Sequence, residues 1–139
     1  MDNFKYYYDS FWHKIADQVL IWYAEILNSV TPKHNSPIRY GGDEFLLLLQ
    51  DYSNEEILSV ANNIYNSLEK YIGFSDRISK ILMKDITIPN EKLLSCSIGI
   101  ITMNITSCTT MSDLIESADH AMYEAKKRGK HQFIVANNI

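Results

Sequence analysis

The chain has 139 residues, 46% of them apolar and 22% charged, with few glycines and prolines. That is ordinary globular composition for one domain with a sizeable core, and it argues against a disordered segment, a fibrous repeat or a small disulfide scaffold. A net charge of −4 without a block of Lys or Arg before the C-terminal end argues against a nucleic-acid-coating surface, while a nucleotide carrying its own Mg²⁺ stays compatible with it.

No run approaches the roughly 18 apolar residues needed to span a bilayer. The opening MDNFKYYYDSFWHK lacks a basic stretch followed by an apolar core, so it does not read as a signal peptide. A cytoplasmic domain without membrane contact of its own is expected, within a parent protein that is free to be membrane-anchored. Cys96 and Cys108 show neither metal spacing nor a C-x-x-C motif, and Cys96 alternates inside a strand-like run as a small buried hydrophobe does.

Residues 3–11 suit a short helix, and Ile15, Val19, Leu20, Trp22, Tyr23, Ile26 and Leu27 recur at helical spacing from His13 to Ser29. Pro32, Asn35, Ser36 and Pro37 supply loop chemistry. Ile38 to Tyr40 and Phe45 to Leu49 then read as two strands around Gly41-Gly42-Asp43-Glu44, a tight-hairpin signal. Ser53-x-x-Glu56 is a capping box, opening a helix with Ile57, Val60, Ala61, Ile64, Tyr65 and Leu68 on one face and Gly73 as its stop. Residues 78–88 and 93–103 read as strands, the second mostly buried, with Gly99 marking a close approach. Thr110 or Ser112 caps a last helix that turns Leu114, Ile115, Ala118, Met122 and Ala125 inward and ends at Gly129. A strand at 132–135 follows. The order is helix, helix, hairpin, helix, strand, strand, helix, strand, an α+β arrangement.

A hairpin that only turns has no use for two carboxylates at its exit. Glycines at the tip let main chain approach a phosphate with no Cβ in the way, and a carboxylate just beyond can hold Mg²⁺ against the same phosphate. Phosphoryl-type chemistry asks a protein mostly for positioning and charge neutralisation. The competing reading is a solvated turn whose acids serve solubility.

Arg39-Tyr40-Gly41-Gly42-Asp43-Glu44-Phe45 resembles the signature of the GGDEF family, the diguanylate cyclases. Four flanks agree in order and spacing: Phe4-Lys5 with Asp9; His13 with Asp17; Ser97-Ile98-Gly99; and Ala118-Asp119-x-Ala121-Met122-Tyr123-x-Ala125-Lys126. The resemblance implies a ferredoxin-like βααββαβ sheet covered by helices, whose first strand is expected to end just before Met1, so that residues 1–139 form a single but N-terminally incomplete domain. It implies condensation of two GTP into cyclic di-GMP with release of pyrophosphate, in bacterial signalling, by a homodimer that uses Mg²⁺ or Mn²⁺. An attached sensor or phosphodiesterase domain is expected in the parent protein.

Carried over residue by residue, Asp43 and Glu44 become the catalytic and metal-binding acids. Gly41 and Gly42 form the phosphate-side turn, Asp17 and Tyr8 face the guanine edge, and Lys126 and Lys130 meet phosphate. Asp2 matches the second Asp of the family's Asp-x-Asp, so the metal-binding first Asp would precede Met1. Tyr8 stands where the family has Asn, Trp12 and Ala16 where it has glycines near the guanine pocket, and Lys130 where it has Arg; a Trp at position 12 reads either as a ring that narrows the pocket or stacks on a base, or as a core aromatic. Pro32-Lys33-His34-Asn35 replaces the inhibitory Arg-x-x-Asp, which predicts no tight product-inhibition site. These departures predict low turnover and set out the alternative, a catalytically degenerate GGDEF domain acting as a nucleotide-binding or dimerising regulatory module.

Overall fold

The computed structural model describes residues 1–71, 74–102 and 110–136. It forms two compact units, one of Met1 with Asn3–Ser95 and one of Asp2 with the chain from Cys96 onward. Gly73 and Cys108 lie outside the described residues.

In the first unit, helix α1 runs from Phe4 to Val30 with a break at Trp12, whose φ of 67° and ψ of 168° belong to no helix. The two helices expected around that point are therefore both present, sharing one interruption. Ile15, Val19, Ile26 and Leu27 bury the inner face of the longer segment. Tyr7 is buried before the break, and its hydroxyl accepts the Leu94 amide at 3.0 Å. Burial raises the Tyr7 phenol pKa, so it stays neutral and serves as a fixed hydrogen-bonding group.

Strands β1 (Pro37–Gly41) and β2 (Glu44–Leu47) pair antiparallel, and Phe45 packs on Tyr23 of α1 with centroids 5.1 Å apart. Helix α2 (Asn54–Lys70) opens with the expected capping box: Glu56 N–H donates to Ser53 Oγ, and Ser53 N–H to Glu56 Oε2. It packs on α1 through Val60, Ala61, Ile64 and Leu68.

The strand expected over 78–88 does not form. Residues Ser75–Leu82 make helix α3 instead, with Ile78 fully buried and Ile81, Leu82 and Met83 exposed. A single inward apolar residue per two turns satisfies a short surface helix, whereas a strand would have needed alternation. Ser79 and Lys80 interrupt any such alternation. The Ser79 hydroxyl accepts the Ile86 amide at 2.9 Å and closes the segment behind the helix. Arg77 lies over the rings of Trp22, Tyr71 and Phe74 at 5.3, 4.7 and 5.8 Å, which pins α3 to α1 by cation–π contact. A 3₁₀ turn at Asn90–Lys92 leads to the end of this unit.

In the second unit, β3 (Ile98–Ile101) pairs parallel with β4 (Phe133–Ala136), and α4 (Met111–Lys127) forms the crossover between them. Among the described residues of the strand expected over 93–103, the ladder with β4 holds Ile98–Ile101, with an isolated bridge residue at Ser95. Thr110, not Ser112, caps α4, in a capping box with Asp113. Gly129 closes the helix at φ 114°, with the Lys130 amide donating to Ala125 O and the Gly129 amide to Lys126 O, the paired bonds of a Schellman motif. Gly99 is required by packing: a Cβ there would run into the Ala118 carbonyl and come 2.6 Å from Met122 N. Asp2 is buried in this unit. Its carboxylate accepts the Ser97 hydroxyl (3.1 and 2.9 Å) and the His131 amide (3.3 Å).

Candidate functional site

The site builds on the β1–β2 tip. Gly41 ends β1 and pairs with Glu44, so the two turn residues are Gly42 and Asp43 rather than the glycine pair itself. Gly42 sits at φ 51°, the left-handed region that a side chain resists. The register shifts between Arg39 and Gly41, a bulge that sets Tyr40 apart. Arg39 uses Nε (3.0 Å) and Nη2 (2.8 Å) to grip the Gly42 carbonyl, so the guanidinium holds the turn in shape.

Gly41 has neither structural reason for being glycine. Its φ is not positive, and a Cβ added there meets nothing within 4 Å. Gly42 is equally open in space. The turn therefore presents bare main chain to an approaching group, and what a Cβ would fill is room beside the backbone.

Asp43 follows with its side chain 34% exposed. Its Oδ2 and its main-chain carbonyl converge on one cation, the Met1 ammonium, at 3.2 and 2.7 Å. Glu44 is exposed beside it. Among the described residues no three His, Cys, Asp or Glu side chains gather into a metal cage. A hard divalent ion there would take Asp43 oxygens and complete its shell with oxygens from a ligand, the pattern Mg²⁺ prefers with phosphates.

Tyr8 and Asp17 lie on either side of the Trp12 break and are both exposed. The Tyr8 ring meets the ring of the exposed His13 edge-on at 4.5 Å. Trp12 is 80% exposed, so it is no core aromatic. Asp17 stands at one end of a groove of about 360 Å³ between α1 and the hairpin, floored by Leu20, Ile21, Ala24 and Phe45 and bordered by Arg39. In the second unit Lys126 lies on the last turn of α4, and the Schellman motif fixes the backbone of Lys130 just past it. The buried Asp2 cluster with Ser97 and His131 was not foreseen as a unit. The resemblance singles out Asp2 and Ser97 separately, and what joins them is tertiary, since the partners lie 95 and 129 positions from Asp2.

The domain is of the α+β class with a glycine-acid hairpin, and comparison with known proteins gives its family. The profile described as "Diguanylate cyclase, GGDEF domain" matches residues 1–132. Diguanylate cyclase A of Treponema denticola is 30% identical over 139 residues, which cover 99% of this chain and 34% of that protein. The isolated GGDEF domain of a Pseudomonas aeruginosa protein (TpbB or YfiN) superposes with TM-score 0.79 at 30% identity, over 98% of this chain and 72% of that one. The active GGEEF domain of a Vibrio cholerae diguanylate cyclase superposes with TM-score 0.76 at 25% identity, over 99% and 79%. The chain belongs to the GGDEF diguanylate cyclase domain family. It spans about a third of the length of the Treponema relative. Among the described residues no helix is long and apolar enough to cross a membrane.

Proposed function

We propose that this domain binds GTP with a divalent cation at the β1–β2 tip and, as a homodimer, joins two GTP into cyclic di-GMP. The observation that carries the reading is Gly41, a glycine whose backbone and packing both accept a side chain and which therefore stands there for a ligand. Gly41 and Gly42 admit the phosphates to the main chain, while Arg39 keeps the turn in register. Asp43, partly exposed at the tip, would hold Mg²⁺ or Mn²⁺ through its carboxylate. When bound, the ion neutralises phosphate charge and polarises the reacting phosphoryl group. Glu44 is assigned as the second carboxylate, binding metal or drawing the proton from the attacking 3′-hydroxyl.

Each 3′-oxygen forms a bond to the α-phosphorus of the other nucleotide, and each breaking bond releases pyrophosphate. Two half-sites must face one another for that, hence the dimer. Asp17 accepts guanine N–H groups, and Tyr8 supplies one further hydrogen bond. Lys126 and Lys130 are assigned to phosphate by the family pattern, Lys130 as a point charge rather than a fork. A location in the cytoplasm and an attached sensor or phosphodiesterase domain belong to the same reading.

The test is cyclic di-GMP formation from GTP and Mg²⁺, followed chromatographically over a range of chain concentrations, for this chain and Gly41→Ala. We expect slow synthesis whose rate rises as the square of chain concentration when the chain is dilute. Gly41→Ala should melt as the parent does yet lose about tenfold or more in rate. Equal rates for the two proteins, or GTP binding without any product, would overturn the cyclase reading.

A further inference from the structure

Trp12 combines two costly features. Its φ of 67° with ψ of 168° lies in a region that only glycine occupies at ease. Its indole is 80% exposed, so no core packing compensates. The other tryptophan behaves oppositely: Trp22 is 8% exposed and lies against Phe74 and Arg77. A backbone that breaks a helix in order to hold a large flat ring in water fits a ring with a partner to meet. Beside it, Tyr8 is 44% exposed and braced edge-on by His13 at 4.5 Å, and Asp17 lies within the next helical turns.

Resting on the nucleotide-binding reading above, we infer that Trp12 is a stacking platform for the nucleobase. A phenol at position 8 offers one hydrogen bond where an amide offers both a donor and an acceptor, so edge recognition in this chain is thin. An indole face supplies base affinity of another kind, since stacking on an aromatic side chain needs only a π-surface. The base thus lies flat on Trp12 while Asp17 takes its N–H groups. The strain at Trp12 is retained because the glycine that would relieve it has no ring.

The experiment is calorimetric titration of the chain, Trp12→Gly and Trp12→Phe with GTP and, separately, with inorganic triphosphate, all with Mg²⁺, alongside thermal melting. Trp12→Gly should weaken GTP by about tenfold and leave triphosphate unchanged. Its melting temperature should rise by about 4 °C, because glycine accepts the backbone conformation. Trp12→Phe keeps a ring and should stay within about threefold of the parent. Unchanged GTP affinity in Trp12→Gly, equal weakening of GTP and triphosphate, or equal losses in the Phe and Gly variants would each overturn the platform. So would a parent chain that binds GTP no more tightly than triphosphate. Binding of neither ligand by the parent chain would overturn the nucleotide-binding reading itself, and the platform with it.

Discussion

Tyr8 is where a single side chain is expected to weigh most on function. A guanine edge left one hydrogen bond short in a desolvated site costs about 1–3 kcal/mol, or roughly ten- to hundredfold in affinity. Tyr8→Asn should therefore tighten GTP binding by about tenfold while leaving inorganic triphosphate as it was. Calorimetry with both ligands decides it, and an unchanged GTP affinity would show that Tyr8 does not face the base. At this scale the sequence was informative where a residue type is chemically odd. Two glycines and two acids in a row at a strand end raise the reading of phosphate and metal, which the Asp43→Ala titration below puts to the test. For Trp12 the sequence left a ring at the guanine pocket and a core aromatic both open, because an aromatic residue inside a helical pattern also reads as core. Only the backbone shows the break at φ 67° that turns the ring outward. Asp2 is marked by the resemblance alone, and its contacts are not legible because Ser97 and His131 arrive from far along the chain.

Helix ends and one strand–helix contact supply the sharpest tests at the level of elements. Glu56 is held below its ordinary 4.5 by the Ser53 amide and then the Ser53 hydroxyl. Asp113 is held below 3.8 by the Thr110 hydroxyl and then the Thr110 amide. Both folded values lie under the unfolded ones, so each contribution to stability is complete above the unfolded pKa and is lost as pH falls through the folded one. The melting-temperature gap between the chain and the double variant Glu56→Ala, Asp113→Ala should hold at neutral pH and close below about pH 4. A gap independent of pH would contradict the assignment.

Gly99→Ala forces a Cβ into the main chain of α4 at Ala118 and Met122. It should destabilise by about 3 kcal/mol or more, readable as a shifted urea midpoint. A neutral result would mean that β3 and α4 can part cheaply. The Ser53 capping box, the hairpin and the Gly129 stop were legible in sequence because each is a local device completed within a few residues. The α3 segment was misread as a strand because eight residues with a single buried apolar position, Ile78, carry too little periodicity to separate the two structures.

For the whole molecule, family membership follows from agreement over residues 1–132 and from the superposed GGDEF domains, whereas the proposed activity rests on a few atoms at one turn. The central claim is that this turn binds a nucleotide through a cation held by Asp43. It is tested most directly by calorimetric titration of GTP into the chain and into Asp43→Ala, each with and without Mg²⁺. The parent should bind GTP at least about tenfold more tightly with Mg²⁺ than without, since the ion bridges carboxylate and phosphate. Asp43→Ala should bind equally in both conditions, at the weaker level. The same Mg²⁺ enhancement in both proteins, or none in the parent, would contradict the account.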